Sequence, residues 1–150
     1  MVSFWAFGAA FFWAFSSGAL VARFLIAVTI DTVDTDPDGI VSIASNQFTL
    51  QGGTYRIAAR VPAYGVTRHK ARLRNITDGS DALLGTSEYN QYSSNVSTSS
   101  LIVGQITIAS AKTFEIQHRV EITNATNGGG NGSNFGDSEV YTVVEIWKVA

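Results

Sequence analysis

Arg68, Lys70, Arg72 and Arg74 occupy alternate positions in the run RHKARLR. Alternate residues of a strand share a face and repeat every ~6.6 Å, so these four would form a row of positive charge. The row repels itself modestly unless something opposes it. It suits an anionic partner, such as a carboxylated or phosphorylated surface glycan or an acidic patch on a protein shell. It also suits cross-strand or intersubunit pairing with Glu115, Glu121, Asp78 or Glu145, each pair worth little where exposed. Acid–base chemistry is less well served. The only histidines, His69 and His118, fall at inward positions of strand-like runs, which makes them core residues. Glu88, Glu115, Glu121 and Glu145 could converge as a glycosidase-type carboxylate pair, but three of the four sit at outward strand positions. No Gly-x-Ser-x-Gly elbow, phosphate-cradling loop or His-x-x-x-His pair is present.

Asp34, Asp36, Asp38 and Gly39 match the first half of a calcium loop, in which alternate carboxylates converge on a hard cation. Position twelve of that pattern is Ser45 where Glu is needed, and no helices flank it. An Asp-Pro-Asp-Gly turn explains the same residues. With no cysteine there is neither a disulfide nor a thiolate site. We expect no catalytic residue, no cofactor and no resident metal. The net charge of -2 lacks the basic balance of a nucleic-acid binder, although six of ten Lys and Arg residues lie between positions 56 and 74. Four Asn-x-Ser/Thr sequons start at Asn75, Asn95, Asn124 and Asn131, as an Asn/Ser/Thr-rich chain produces by chance.

The elements that would position these groups are strands. Thr54 to Val61 alternates, with Tyr55, Ile57, Ala59 and Val61 on one face and Arg56, Ala58 and Arg60 on the other. Pro62-Ala63-Tyr64-Gly65 ends that run, and the basic run follows with His69, Ala71 and Leu73 inward. Asp78-Gly79 turns into a short strand at Ala82 to Gly85, and Thr86 to Ser100 reads as a long polar loop running into a strand. Ile102, Gly104, Ile106 and Ile108 alternate next, then Lys112 to Thr123 with Phe114, Ile116, His118, Val120 and Ile122 inward. Earlier strands are expected at Phe24 to Ile30, Ile40 to Ala44 and Phe48 to Leu50. Gly-rich Asn127 to Gly136 cannot be core. The last strand, within Ser138 to Val149, is apolar on both faces, which predicts burial of Tyr141, Val143 and Trp147 against another subunit. These patterns predict an all-β chain: an antiparallel β-sandwich, best arranged as a jelly roll, over residues 24–150.

Residues 1–23 read as a separate unit. Val2 to Ala22 is uncharged and holds Phe4, Trp5, Phe7, Phe11, Phe12, Trp13 and Phe15. The run is long enough to cross a membrane as a helix, but its aromatics crowd the middle and no cation precedes it. A signal peptide would lack its positive leader. A third reading is an apolar arm that three chains bury against one another, with Phe4, Phe7, Phe11, Ala14 and Gly18 at heptad-like spacing.

The segments DPDGIVSIASNQFTLQGGTYRI, RHKARLRNITDGSDALLGTSEY, KTFEIQHRVEIT and EVYTVVEIWK resemble, in that order, a recurring phage virion module. That module is similar to the trimeric jelly roll of complement globular heads and tumour necrosis factor. The likeness covers about Asp36 to Lys148, and the aromatic N-terminal run departs from it. It implies a non-enzymatic homotrimer on a virion surface, either a capsid decoration protein or a tail-fibre knob. Its partners would be itself, other virion proteins such as capsid or tail hub, and a host surface glycan met through the basic row. No coiled-coil or β-helical shaft is visible, which favours decoration docked through the arm. A membrane-anchored or secreted binding module of the tumour necrosis factor type is the alternative.

Overall fold

The computed structural model describes residues 2–5, 11–13 and 24–149, with the first three strands described through their backbone. The strands are β1 (Val2–Trp5), β2 (Phe11–Trp13), β3 (Phe24–Ala27), β4 (Thr32–Thr35), β5 (Val41–Ala44) and β6 (Gln47–Leu50). Then follow β7 (Gly53–Tyr64), β8 (Thr67–Asn75), β9 (Ser80–Asn90), β10 (Ser97–Ile108), β11 (Lys112–Val120) and β12 (Val143–Lys148). One antiparallel sheet, sheet A, runs β10-β7-β12-β1-β4. In sheet B, β11 pairs with β3 and β6, β3 with β2 and β6 with β5; β8 also pairs with β11 and carries β9 on its other edge.

Period-2 patterning fixes which face each strand buries. Tyr55, Ile57, Ala59 and Val61 of β7 meet Ile102 of β10 and Val144 and Ile146 of β12 on the inner face of sheet A. Phe48, Leu50, Ala71, Leu73, Phe114 and Ile116 answer from sheet B. The Phe48 and Phe114 rings stack with centroids 5.7 Å apart. Each such side chain contributes ~1.5–3 kcal/mol by leaving water.

Several boundaries move from the sequence reading. β7 runs through Pro62 to Tyr64, because β12 stops pairing at Arg60 and only β10 borders the proline stretch. The polar stretch expected as a long loop is mostly strand: β9 reaches Asn90 and β10 begins at Ser97. Ile122, expected inward, lies beyond the end of β11 and is exposed. Residues 138–142 precede the last strand instead of opening it. The calcium-like segment is closed by its own carboxylate. Asp36 accepts the backbone N–H groups of Ile40 at 2.9 Å and Val41 at 3.1 Å, and Gly39 takes a φ of 58°.

The described parts of the aromatic N-terminal run are paired strands. Phe4 and Trp5 belong to β1, hydrogen-bonded between β12 and β4. Phe11, Phe12 and Trp13 form β2, paired with β3. Pairing thus carries both sheets across the expected boundary at residue 23, and the described parts of the run are strand. Phe7 and Phe15 lie outside the described residues. No helix among the described residues is long and apolar enough to cross a membrane.

Candidate functional site

Strand β8 carries the cationic row on the outer face of sheet B, and its neighbours decide which of the four charges remain available. The tight turn at Gly79 (φ 65°) brings Asp81 back beside the row. Arg72 meets Asp81 at 3.1 Å and Arg74 meets it at 2.8 Å. Arg72 Nε also donates to the Gln117 side chain at 2.8 Å. Burial pushes the Asp81 carboxyl upward, but its bonds to Arg74 and Arg72 outweigh that and hold its pKa below the usual value. At the other end, Arg68 pairs with Glu121 at 3.0 Å. The Thr67 hydroxyl, the Arg68 backbone N–H and the Arg68 guanidinium together hold the Glu121 carboxyl below its ordinary pKa.

Lys70 is left over. It forms no ion pair among the described residues, and its direct cross-strand neighbour on β11 is Arg119, also unpaired there. Two like charges directly opposite each other destabilise a sheet. The pair borders a groove of about 350 Å³ edged by Arg68, Ser87, Glu88 and Glu121, with buried His69 and Val120 beneath. Cross-strand pairing therefore absorbs Arg68, Arg72 and Arg74, and the structure adds Arg119 as a cation beside Lys70. Of the expected counterions only Glu121 serves the row. Asp78 binds Lys112 at 2.6 Å, and Glu115 accepts from Gln47 and Gln117. Arg119 went unread because only the register of β11 against β8 places it opposite Lys70. Asp81 is placed beside the row only by the β8–β9 pairing across the Gly79 turn.

The two histidines are core residues that touch. His69 Nδ1 lies 2.9 Å from His118 Nε2, and His69 Nε2 lies 2.7 Å from the Thr98 hydroxyl. Asn90 donates to the same hydroxyl and to the Ala63 carbonyl, while its Oδ1 accepts from Val66 N–H, so each residue of this buried polar cluster has a partner. Burial, then the neighbouring His69, lowers the His118 pKa to about 3. Burial also lowers that of His69, against the opposing pull of Glu88. Both rings are neutral at pH 7.

Sheet A presents a different outer face. In register across β10, β7 and β12 stand the rows Leu101-Arg60-Val143, Val103-Ala58-Glu145 and Gln105-Arg56-Trp147. Leu101 is 47% and Val103 61% exposed, whereas Val143 and Trp147 are half-buried. Arg56 lies over the Trp147 ring at 6.0 Å. Tyr141 precedes β12, and its carbonyl accepts from Arg60 at 3.1 Å. The expected interface residues Val143 and Trp147 thus belong to one wide face in which Leu101, Val103, Ala58, Val143 and Trp147 alternate with Arg56, Arg60, Gln105 and Glu145, and Tyr141 borders it.

Two sandwiched sheets with β12 central in one and β11 central in the other can be compared with solved structures. The globular domain of zebrafish complement 1qA protein matches at 16% identity, over 99% of this chain and 96% of that one, with a TM-score of 0.56. The crystal structure of murine APRIL at pH 8.0 matches at 8% identity, over 99% and 97%, also at 0.56. The chain has a complement-head and tumour-necrosis-factor-like jelly-roll fold. No protein-family model and no curated protein matches the sequence. The fold implied by the sequence resemblance is therefore the fold observed, and what the jelly roll does must be argued from its own surfaces.

Proposed function

We propose that this chain is a non-enzymatic, self-associating binding module in which three copies join through the outer face of sheet A. The observation that carries this is the exposed apolar surface there. Leu101 and Val103 stand in water beside Ala58, Val143 and Trp147, on the sheet that also takes in β1. Single exposed apolar residues are ordinary, but Leu101, Val103 and Ala58 adjoin one another, and such a cluster marks an interface. A second copy is the occupant that fits best. The Arg60 and Arg56 cations lie in the same face as Glu145, so copies related by rotation can match charge while burying the apolar residues. The resemblance of the jelly-roll segments to a phage virion module supports a place on a virion surface, as a capsid decoration or fibre-knob protein. In that setting sheet B, with its row from Arg68 to Arg74, faces outward to meet a partner.

Light scattering on the purified chain tests the assembly. Val103→Glu keeps an exposed position exposed in a lone protomer but buries a charge in the assembly, at a cost of several kcal/mol. It should yield a folded monomer from a wild-type trimer. A wild-type monomer would reject the proposal. Labelled antibody against the chain should decorate intact particles under the virion reading and leave them bare otherwise.

A further inference from the structure

The outer face of sheet B carries a feature that trimerisation does not explain. Lys70 and Arg119 face each other directly across β8 and β11, both without a carboxylate partner among the described residues. Every other cation of the row meets a carboxylate: Arg68 pairs with Glu121, and Arg72 and Arg74 share Asp81. The sheet thus gives three of the four cations a carboxylate contact and gives Lys70 none. Instead it sets a second cation against it, at the edge of a groove of about 350 Å³.

We propose that this groove is a binding site for an acidic saccharide, with Lys70 and Arg119 together taking its carboxylate or sulfate group. The charge pair alone would suit any oxyanion, but the rest of the lining narrows the class. Glu88 and Glu121 also edge the groove and would repel a uniformly acidic surface. A sugar acid presents one anionic group among several hydroxyls, so carboxylates beside the cation pair become acceptors for those hydroxyls. Among the described residues the Glu88 carboxylate holds one hydrogen bond, accepted by its Oε1 from the Thr86 hydroxyl at 2.7 Å, and Glu88 lines the groove from β9, where it pairs with His69 next to the Lys70–Ser87 pair. Ser87, directly across from Lys70, adds a small donor and acceptor. Tyr89 stands across from Arg68 and is 60% exposed, giving an aromatic surface on which a sugar ring can lie. The volume admits one or two sugar rings. The site rests on the binding-module reading but not on the number of copies.

A panel of carboxylated and sulfated oligosaccharides, their neutral parents, inorganic sulfate and poly-L-glutamate, presented to the full chain at fixed ionic strength, tests this. At least one acidic sugar should bind at least tenfold more tightly than its neutral parent and than sulfate. Lys70→Gln and Arg119→Gln should each weaken it by tenfold or more, and Tyr89→Ala by a smaller factor, with oligomeric state and melting temperature unchanged. Lys148→Gln, on the other sheet, should leave binding as it was. Binding of no acidic sugar above its neutral parent overturns the proposal. So does binding that ignores Lys70 and Arg119, or poly-L-glutamate binding through those two residues while the sugars fail. Because oligomeric state is read in the same samples, failure of the sugar site is distinguishable from failure of the trimer.

Discussion

The buried histidine pair makes the fold sensitive to mild acid, and the size of the effect can be worked out. In the folded chain His118 titrates at about 3, because burial and the adjacent His69 oppose its charged form. Unfolded, it returns to the ordinary imidazole value of about 6.5. Between those values the unfolded chain binds a proton that the folded chain does not, so stability is full above pH ~6.5 and falls as pH drops. At about 1.4 kcal/mol per pH unit over that interval, the fall from pH 7.5 to pH 5 is ~2 kcal/mol for His118 alone. His69 shifts in the same direction and adds to it. The groups facing the pair are Thr98 and Asn90, which do not titrate, and Glu88. The low-pKa carboxylates Asp78, Asp81, Glu121 and Glu139 lose their contribution only at lower pH, leaving this window to the imidazoles. Urea unfolding at pH 7.5 and pH 5, at one ionic strength and one protein concentration, should show the loss in wild type. His118→Gln keeps a hydrogen-bonding group near His69 and should remove about 2 kcal/mol of the difference. Equal pH dependence in the two proteins would show that His118 does not set this acid sensitivity.

Two further predictions concern how β8 is held against β9 and β10. Gly85 sits opposite the bulge in β8–β9 pairing, where a Cβ would lie 2.9 Å from the Ala71 carbonyl oxygen and 2.6 Å from Ser100 Oγ. Gly85→Ala should cost ~1–3 kcal/mol in a denaturant titration, since backbone has to shift to admit the methyl group. Ser100 donates to the Thr86 carbonyl at 2.7 Å and accepts the Ala71 N–H at 2.9 Å, tying sheet A to the bulge. Ser100→Ala should cost ~1–3 kcal/mol, because that buried N–H loses its partner. Wild-type melting temperatures in either variant would show that the bulge is not braced this way.

Strand identity was legible wherever one face is buried and the other wet. Tyr55 to Val61, His69 to Leu73 and Phe114 to Val120 announce their inner faces by alternation alone, and the structure buries those residues. Alternation says nothing about where pairing stops, so Pro62 looked like an end when it only loses a neighbour on one side. The strand expected at Ala82 to Gly85 lies within β9, and its continuation to Asn90 was hidden because the residues beyond Gly85 are mostly polar, on an edge strand of sheet B. The aromatic N-terminal run stays open to several readings from sequence, because continuous hydrophobicity fits helix, arm and strand alike. The basic row was visible as a row. Its division into satisfied and unsatisfied charges depends on Asp81 returning across a turn and on Arg119 arriving from β11, and both are matters of long-range register.

The central claim is that the outer face of sheet A joins three copies of the chain. Sedimentation equilibrium on wild type and Val103→Glu, at matched concentration and neutral pH, tests it most directly. Wild type should sediment at three times the 16.1 kDa chain mass and the variant at a single chain mass, with the same β-rich circular dichroism spectrum in both. A wild-type protein that stays at one chain mass at high concentration, or a variant that still sediments as a trimer, would contradict it.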